Sequence, residues 1–177
     1  MDLCCGYGRH ALYLCEQGIR VTACDNDPAV IENLRAEAKR FSALDADVCD
    51  MRELPYGDNA FDAVICYSAL HHQRLRQLEE SISEVRRVCR KGAVFSFDIL
   101  SRNDVTCGVG EQIEPFTYVG GRAGEEDVPH HYVSEAELME LLRGFDRIQI
   151  REVTYRYVIN HQLHTSVMFC AEAVVGG

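Results

Sequence analysis

The chain has 177 residues, 47% of them hydrophobic and 26% charged, proportions that suit a single globular domain over 1–177 and exclude a fibrous or disordered chain. A formal net charge of -10, with no basic run to offset it, excludes a polyphosphate as the expected partner, so no nucleic acid is anticipated. No apolar stretch approaches the roughly 20 residues of a membrane-spanning helix, and nine cysteines without a C-x-x-C pair or a preceding signal peptide predict reduced thiols and a cytoplasmic protein.

Short β-like runs alternate with helical patterns up to about position 100, the rhythm of βαβ units and a parallel sheet. Residues 1–4 read as a first strand, followed by a glycine loop and a helix starting near Arg9. Strands are predicted at 20–25, 42–48, 61–67 and 93–100. Asp27 as N-cap and Pro28 at the first helical position open a helix whose Ile31, Leu34, Ala38 and Phe41 share a face. Leu75, Leu78, Ile82, Val85 and Cys89 repeat that period, with Lys91-Gly92 as its stop. From 101 to 133 no period is sustained, and five glycines and two prolines interrupt the segment. A loop of that length is expected to be functional, a lid or a wall on the substrate side. Ser134 and Glu137 then form a capping-box pattern, Leu138, Leu141 and Leu142 an apolar stripe, and Gly144 a stop. Two alternating runs, 146–158 and 165–175, are too close for a crossover and predict an antiparallel hairpin.

The chemistry concentrates in Asp2-Leu-Cys-Cys-Gly-Tyr-Gly8, a strand end passing through two glycines into a helix, where backbone amides can approach a ligand. The same residues satisfy a dinucleotide pattern as Gly6-Tyr-Gly-Arg-His-Ala11, with Asp25 at a distance suited to a ribose hydroxyl. Asp2 separates the two readings, because a carboxylate beside the loop suits a cationic sulfonium and repels a pyrophosphate. Two further segments reinforce it: Asp50-Met-Arg-Glu-Leu-Pro-Tyr56, and the run from Phe61 through Tyr67 to His71-His72.

In order and spacing these segments resemble the class I methyltransferases that use S-adenosylmethionine, over residues 2–100. The resemblance implies a Rossmann-like α/β three-layer sandwich with a mixed seven-stranded sheet, strand order 3-2-1-4-5-7-6, and a C-terminal antiparallel hairpin. It implies that Asp2 and the backbone of Cys4, Cys5, Gly6, Tyr7 and Gly8 hold the methionine part of the cofactor, that Asp25 binds the ribose hydroxyls, and that Asn26 lies against the adenine. Asp50 and the Met51 amide would read the adenine edge, and Tyr67 with its neighbours would border the methyl. The second half is similar to bacterial methyltransferases of small molecules. The family has helices and a full strand before the acid at position 2, so the resemblance leads us to expect a chain shortened at its amino end, with a homodimer contact covering exposed apolar surface.

The expected reaction is methyl transfer to an O, N, S or other soft atom of a small molecule. Two alternatives stand beside it: a nicotinamide-dependent oxidoreductase, and a cofactor-binding module without catalysis. If a base is needed, His71 and His131 are the candidates. No metal site is expected, because the pairs His71-His72 and His130-His131 repeat no ligand spacing and adjacent side chains diverge. His161 and His164 read as solvent-facing. Arg52, Glu53 and Asp58 read as surface, Cys66 as core, and Tyr155 and Tyr157 as neighbours on one sheet face.

Overall fold

A computed structural model describes residues 1–159 and 161–176. Its main sheet has seven strands in the order β3-β2-β1-β4-β5-β10-β9, the predicted order once the strands of the small sheet are set aside. These are β1 (Asp2–Leu3), β2 (Val21–Asp25), β3 (Leu44–Val48), β4 (Phe61–Cys66), β5 (Cys89–Leu100), β9 (Phe145–Ile159) and β10 (Gln162–Val175). The first five run parallel, while β10 pairs antiparallel with both β5 and β9.

Alternation along the central strands sends side chains into two layers. Ala23 joins Ala11, Ile31 and Leu34 beneath α1 (Arg9–Glu16) and α2 (Pro28–Ala38), whereas its neighbour Cys24 joins Val64, Phe95, Leu78 and Ile82 on the side of α3 (Leu75–Val88) and α4 (Glu135–Leu141). That period of two, read against helical stripes on both faces, is what makes a three-layer sandwich. β1 is short, but its pairing is extended at Met1, whose amine donates to the Ala63 carbonyl at 2.7 Å and whose carbonyl accepts from the Ile65 amide at 3.0 Å.

Local sequence signals hold for α2, where the Asp27 side chain accepts from the Ala29 amide at 2.8 Å. They fail in part elsewhere. α3 ends at Val88, and Cys89 already belongs to β5, its backbone extended. Lys91-Gly92 therefore lies inside the strand, where a register irregularity against β4 takes up the positive φ of Gly92. At α4 only half of the capping box forms: Ser134 accepts from the Glu137 amide, while the Glu137 carboxylate turns to Arg102 at 2.7 Å.

The segment 101–133 is not an unstructured loop. It carries a second antiparallel sheet of β6 (Glu111–Glu114), β7 (Thr117–Val119) and β8 (His130–His131). Strands of two to four residues leave no legible period, which is why the sequence pattern hid them. Buried polar groups fix this sheet to the main one. Asp104 accepts from the Ser166 hydroxyl and the Val167 amide of β10, both at 2.7 Å, and lies 3.5 Å from Arg122.

Candidate active site

Open α/β sheets place ligands at the carboxyl ends of their parallel strands, where helix amino termini also point. A cleft of about 470 Å³ lies there, lined by Cys4, Gly6, Asp25, Asn26, Asp50 and Met51, with Arg52, Ser68, Ala69, His72 and Pro129 among the residues completing it. Six of the residues expected to bind cofactor thus meet in one cavity. A larger cavity, about 570 Å³, sits between α3 and α4 and is lined by Ile82, Leu141 and Phe145 among others, but none of the strand-end acids reaches it.

The glycine loop is built by three left-handed residues, Cys4 (φ 55), Gly6 (φ 52) and Gly8 (φ 78). A non-glycine residue in that region carries strain, and Cys4 bears it at the base of the cleft. Gly6 aims its amide at Asp25, which accepts it at 2.9 Å on Oδ2 while Oδ1 accepts the Asp27 amide at 3.1 Å. A side chain at Gly6 would meet no protein atom within 4 Å. The loop therefore leaves a free space beside the carboxylate. Gly8 has the opposite constraint, since a Cβ there would lie 2.4 Å from Leu34 Cδ1.

Asp2 does not line the cleft. It is 2% exposed, and its Oδ2 accepts the Ala11 amide at 2.9 Å, holding the amino end of α1 under the loop. Burial pushes its carboxyl up to about 6, with the Ala11 amide opposing. Cys5 is buried in the α1–α2 layer and Tyr7 is 75% exposed, so neither these nor Gly8 is among the lining residues. Tyr67 turns away as well. Its hydroxyl lies 2.8 Å from Ser96 Oγ, and its ring lines a separate cavity of about 310 Å³ against Gln149 and Cys170. Its neighbours Ser68 and Ala69 take the place at the cleft.

Neither expected base reaches the cavity. His131 is fully buried, with Nδ1 2.7 Å from Thr117 Oγ1. His71 is 3% exposed and packs against both His72 and His130, so the tight turn after β4 brings the two adjacent imidazoles together where the sequence pattern had them diverge. His72 is the one that lines the cleft, and burial lowers it to about 4.

Two residues were missed by pattern. Arg52, read as surface, lines the cleft and grips Asp50: its amide and Nε donate to Asp50 Oδ1, each at 2.9 Å, and this hydrogen bonding holds the Asp50 carboxyl below its ordinary value. Asp98, on β5, accepts the Ser68 amide at 2.6 Å and so fixes Ser68 in a left-handed conformation at φ 61. Burial raises the Asp98 carboxyl. An acid at the end of a predicted parallel strand was the available signal. Cys66 is fully buried, and all nine cysteines are free. Tyr155 and Tyr157 share a face, their rings 5.7 Å apart.

Doubly wound sheets with such a strand-end cleft define a class of fold, and a SAM-dependent methyltransferase from Methanosarcina mazei shares it with a TM-score of 0.79 at 19% identity, over 99% of this chain and 92% of that one. The family follows from the sequence itself: residues 1–97 match the methyltransferase domain, and the chain belongs to that family. An uncharacterized methyltransferase of Synechocystis is 32% identical over 102 residues, 58% of this chain and 47% of that protein. A malonyl-[acyl-carrier protein] O-methyltransferase of Serratia marcescens is 34% identical over 101 residues, 57% of this chain and 38% of that protein. The chain thus matches less than half the length of these curated relatives. Nothing in these likenesses favours the nicotinamide-dependent alternative.

Proposed function

We propose that the protein transfers a methyl group from S-adenosylmethionine to a nucleophilic atom of a small molecule. The observation that carries this reading is the meeting of Asp25, Cys4, Gly6 and Asp50-Met51 in one strand-end cleft of a methyltransferase-family fold. The cleft suits the cofactor's parts. Asp25 uses its lone pairs to fix Gly6 and Asp27 and still faces the cavity, where a pair of ribose hydroxyls would complete its shell. The free space at Gly6 suits the methionine part, and Asn26, Asp50 and Met51 form a wall for the adenine.

The cofactor supplies an already activated methyl on a sulfonium. The protein's task is then to align the acceptor and exclude water. Ser68, held rigid by Asp98, and Ala69 border the place where the acceptor would stand, and Pro129 brings the small sheet to the same edge. No side chain is assigned as base. The segment 101–133 acts as the cover on the substrate side in this reading, and hydrogen exchange that is slow there without ligand and unaltered with it argues against that role. No described helix is long and apolar enough to cross a membrane. A cytoplasmic setting and a homodimer form part of the same proposal, the latter tested by light scattering on the eluting peak.

Calorimetry with S-adenosylhomocysteine tests the reading. The chain should bind it, and Asp25→Ala should weaken binding by roughly 1.5 to 3 kcal/mol, the loss expected for hydrogen bonds to a charged group. Unchanged affinity in a folded variant removes the ribose assignment, and no binding by the parent chain removes the function.

A further inference from the structure

Beside the cleft, three histidines meet that the methyl-transfer reading does not use. We propose that His71, His72 and His130 bind one divalent transition-metal ion of the zinc class, at the joint between the small sheet and the strand-end cleft. Each ring offers a nitrogen such that all three lie within 4.8 Å of one another. Tetrahedral zinc with Zn–N bonds of about 2.0–2.1 Å separates its nitrogens by roughly 3.4 Å. Shifts of about 1.5 Å or less therefore close the site, within reach of side-chain rotation.

Packing alone does not account for the cluster. The ring centroids lie 4.5 Å apart for His71 and His72 and 4.9 Å apart for His72 and His130, both edge to face. Such contacts satisfy ring faces and leave nitrogens wanting partners. His71 Nδ1 and His72 Nε2 are both buried without a hydrogen-bond partner, a cost folded chains rarely bear. Glu125 supplies the carboxylate that commonly accompanies metal-bound imidazole through its other nitrogen, 2.9 Å from His130 Nε2, which leaves His130 Nδ1 as the nitrogen free to bind the ion. Arg122 is the opposing charge, and it is engaged by Glu125 at 3.4 Å and by Asp104 at 3.5 Å.

An imidazole-rich set selects zinc, cobalt, nickel or copper over magnesium or calcium. Because the ligands come from the turn after β4 and from β8, the ion would staple the small sheet to the main one. His72 also lines the cleft, so an open coordination position would face the substrate side.

The test uses the full chain, reduced and stripped with a chelator, then titrated with cobalt(II) and with zinc against a competing chromogenic chelator. One ion per chain is expected, with a visible cobalt spectrum lacking thiolate charge-transfer absorption and a melting temperature raised by zinc. His72→Gln and His130→Gln should each weaken zinc binding at least about 10-fold, the loss that even an outer-shell partner produces, whereas His164→Gln should not. If His130→Gln fails to fold, the partly exposed His72→Gln decides. No stoichiometric ion, a thiolate-type spectrum or equal affinity in the His72 variant overturns the site. S-adenosylhomocysteine binding, measured on the same preparation, reports separately on the methyltransferase reading.

Discussion

In residues 1–100, the buried positions follow apolar periods and the functional polar groups collect at strand ends, on the rim of one cleft. In the second half, β9 and β10 are again periodic, but the small sheet between them and β5 is held by Asp104, Arg122, Ser166, Thr117, His130 and His131, all buried. Hydrophobic burial is non-directional and tolerates local change, whereas a buried polar network is strong only while every member keeps its partner. The first region is thus a scaffold that presents a site, and the second an attachment whose position rests on directional contacts around one small apolar cluster of Leu100, Tyr132 and Met168.

The largest effect that would break this contrast is expected at Asp104. Asp104→Ala removes the acceptor shared by Ser166 and Val167 and leaves Arg122, 8% exposed, with Glu125 at 3.4 Å as its one remaining carboxylate among the described residues. Breaking a buried pair from one side costs about 3–5 kcal/mol. Urea unfolding should show that loss, together with faster hydrogen exchange confined to 101–133. A loss spread evenly over the chain would mean that the two regions are one cooperative unit.

Gly8→Ala tests the scaffold. Its positive φ and the 2.4 Å approach to Leu34, itself buried, should together cost about 2–4 kcal/mol. A stability within 1 kcal/mol of the parent in urea would show that α1 and α2 can part freely.

Asp2 separates stability from function. Its folded carboxyl sits near 6 against an ordinary 3.8, so the folded state binds the proton more tightly than the unfolded chain does. The destabilisation is absent below about pH 4, grows as pH rises between the two values, and is complete above 6. Asp2→Asn keeps an acceptor for Ala11 and should raise stability by about 2–3 kcal/mol at pH 8 with little change at pH 3.5. Thermal melts at the two pH values check this, and a uniform shift at both would reject the buried-charge account.

The smallest effect is local. Asp27→Ala should cost about 1 kcal/mol through the lost cap of α2, with S-adenosylhomocysteine affinity changed little, since Asp25 keeps the Gly6 amide. A large loss of affinity would instead make Asp27 part of the cleft.

Much of this protein was legible before its structure. Asp27-Pro28, the stripes of α2 and α3, and the alternation of apolar runs are short-range consequences of residue type, and they determined an α/β sheet with Asp25 and Asp50 at its carboxyl edge. Strand order and the family reading came with the resemblance carried by the segments between Asp2 and His72. Side-chain direction and partner choice were decided only in three dimensions. Asp2 lies beneath the loop because the amino end of α1 claims its carboxylate, Arg52 enters the cleft because Asp50 holds it there, and Tyr67 turns away toward Ser96. His72 faces the cavity while His71 and His131 do not, because the turn after β4 and the pairing of β7 with β8 set their directions. Some of those contacts join residues far apart in the chain, as Tyr67 with Ser96, and others, as Arg52 with Asp50, turn on side-chain direction between near neighbours; no apolar periodicity along a single segment can encode either.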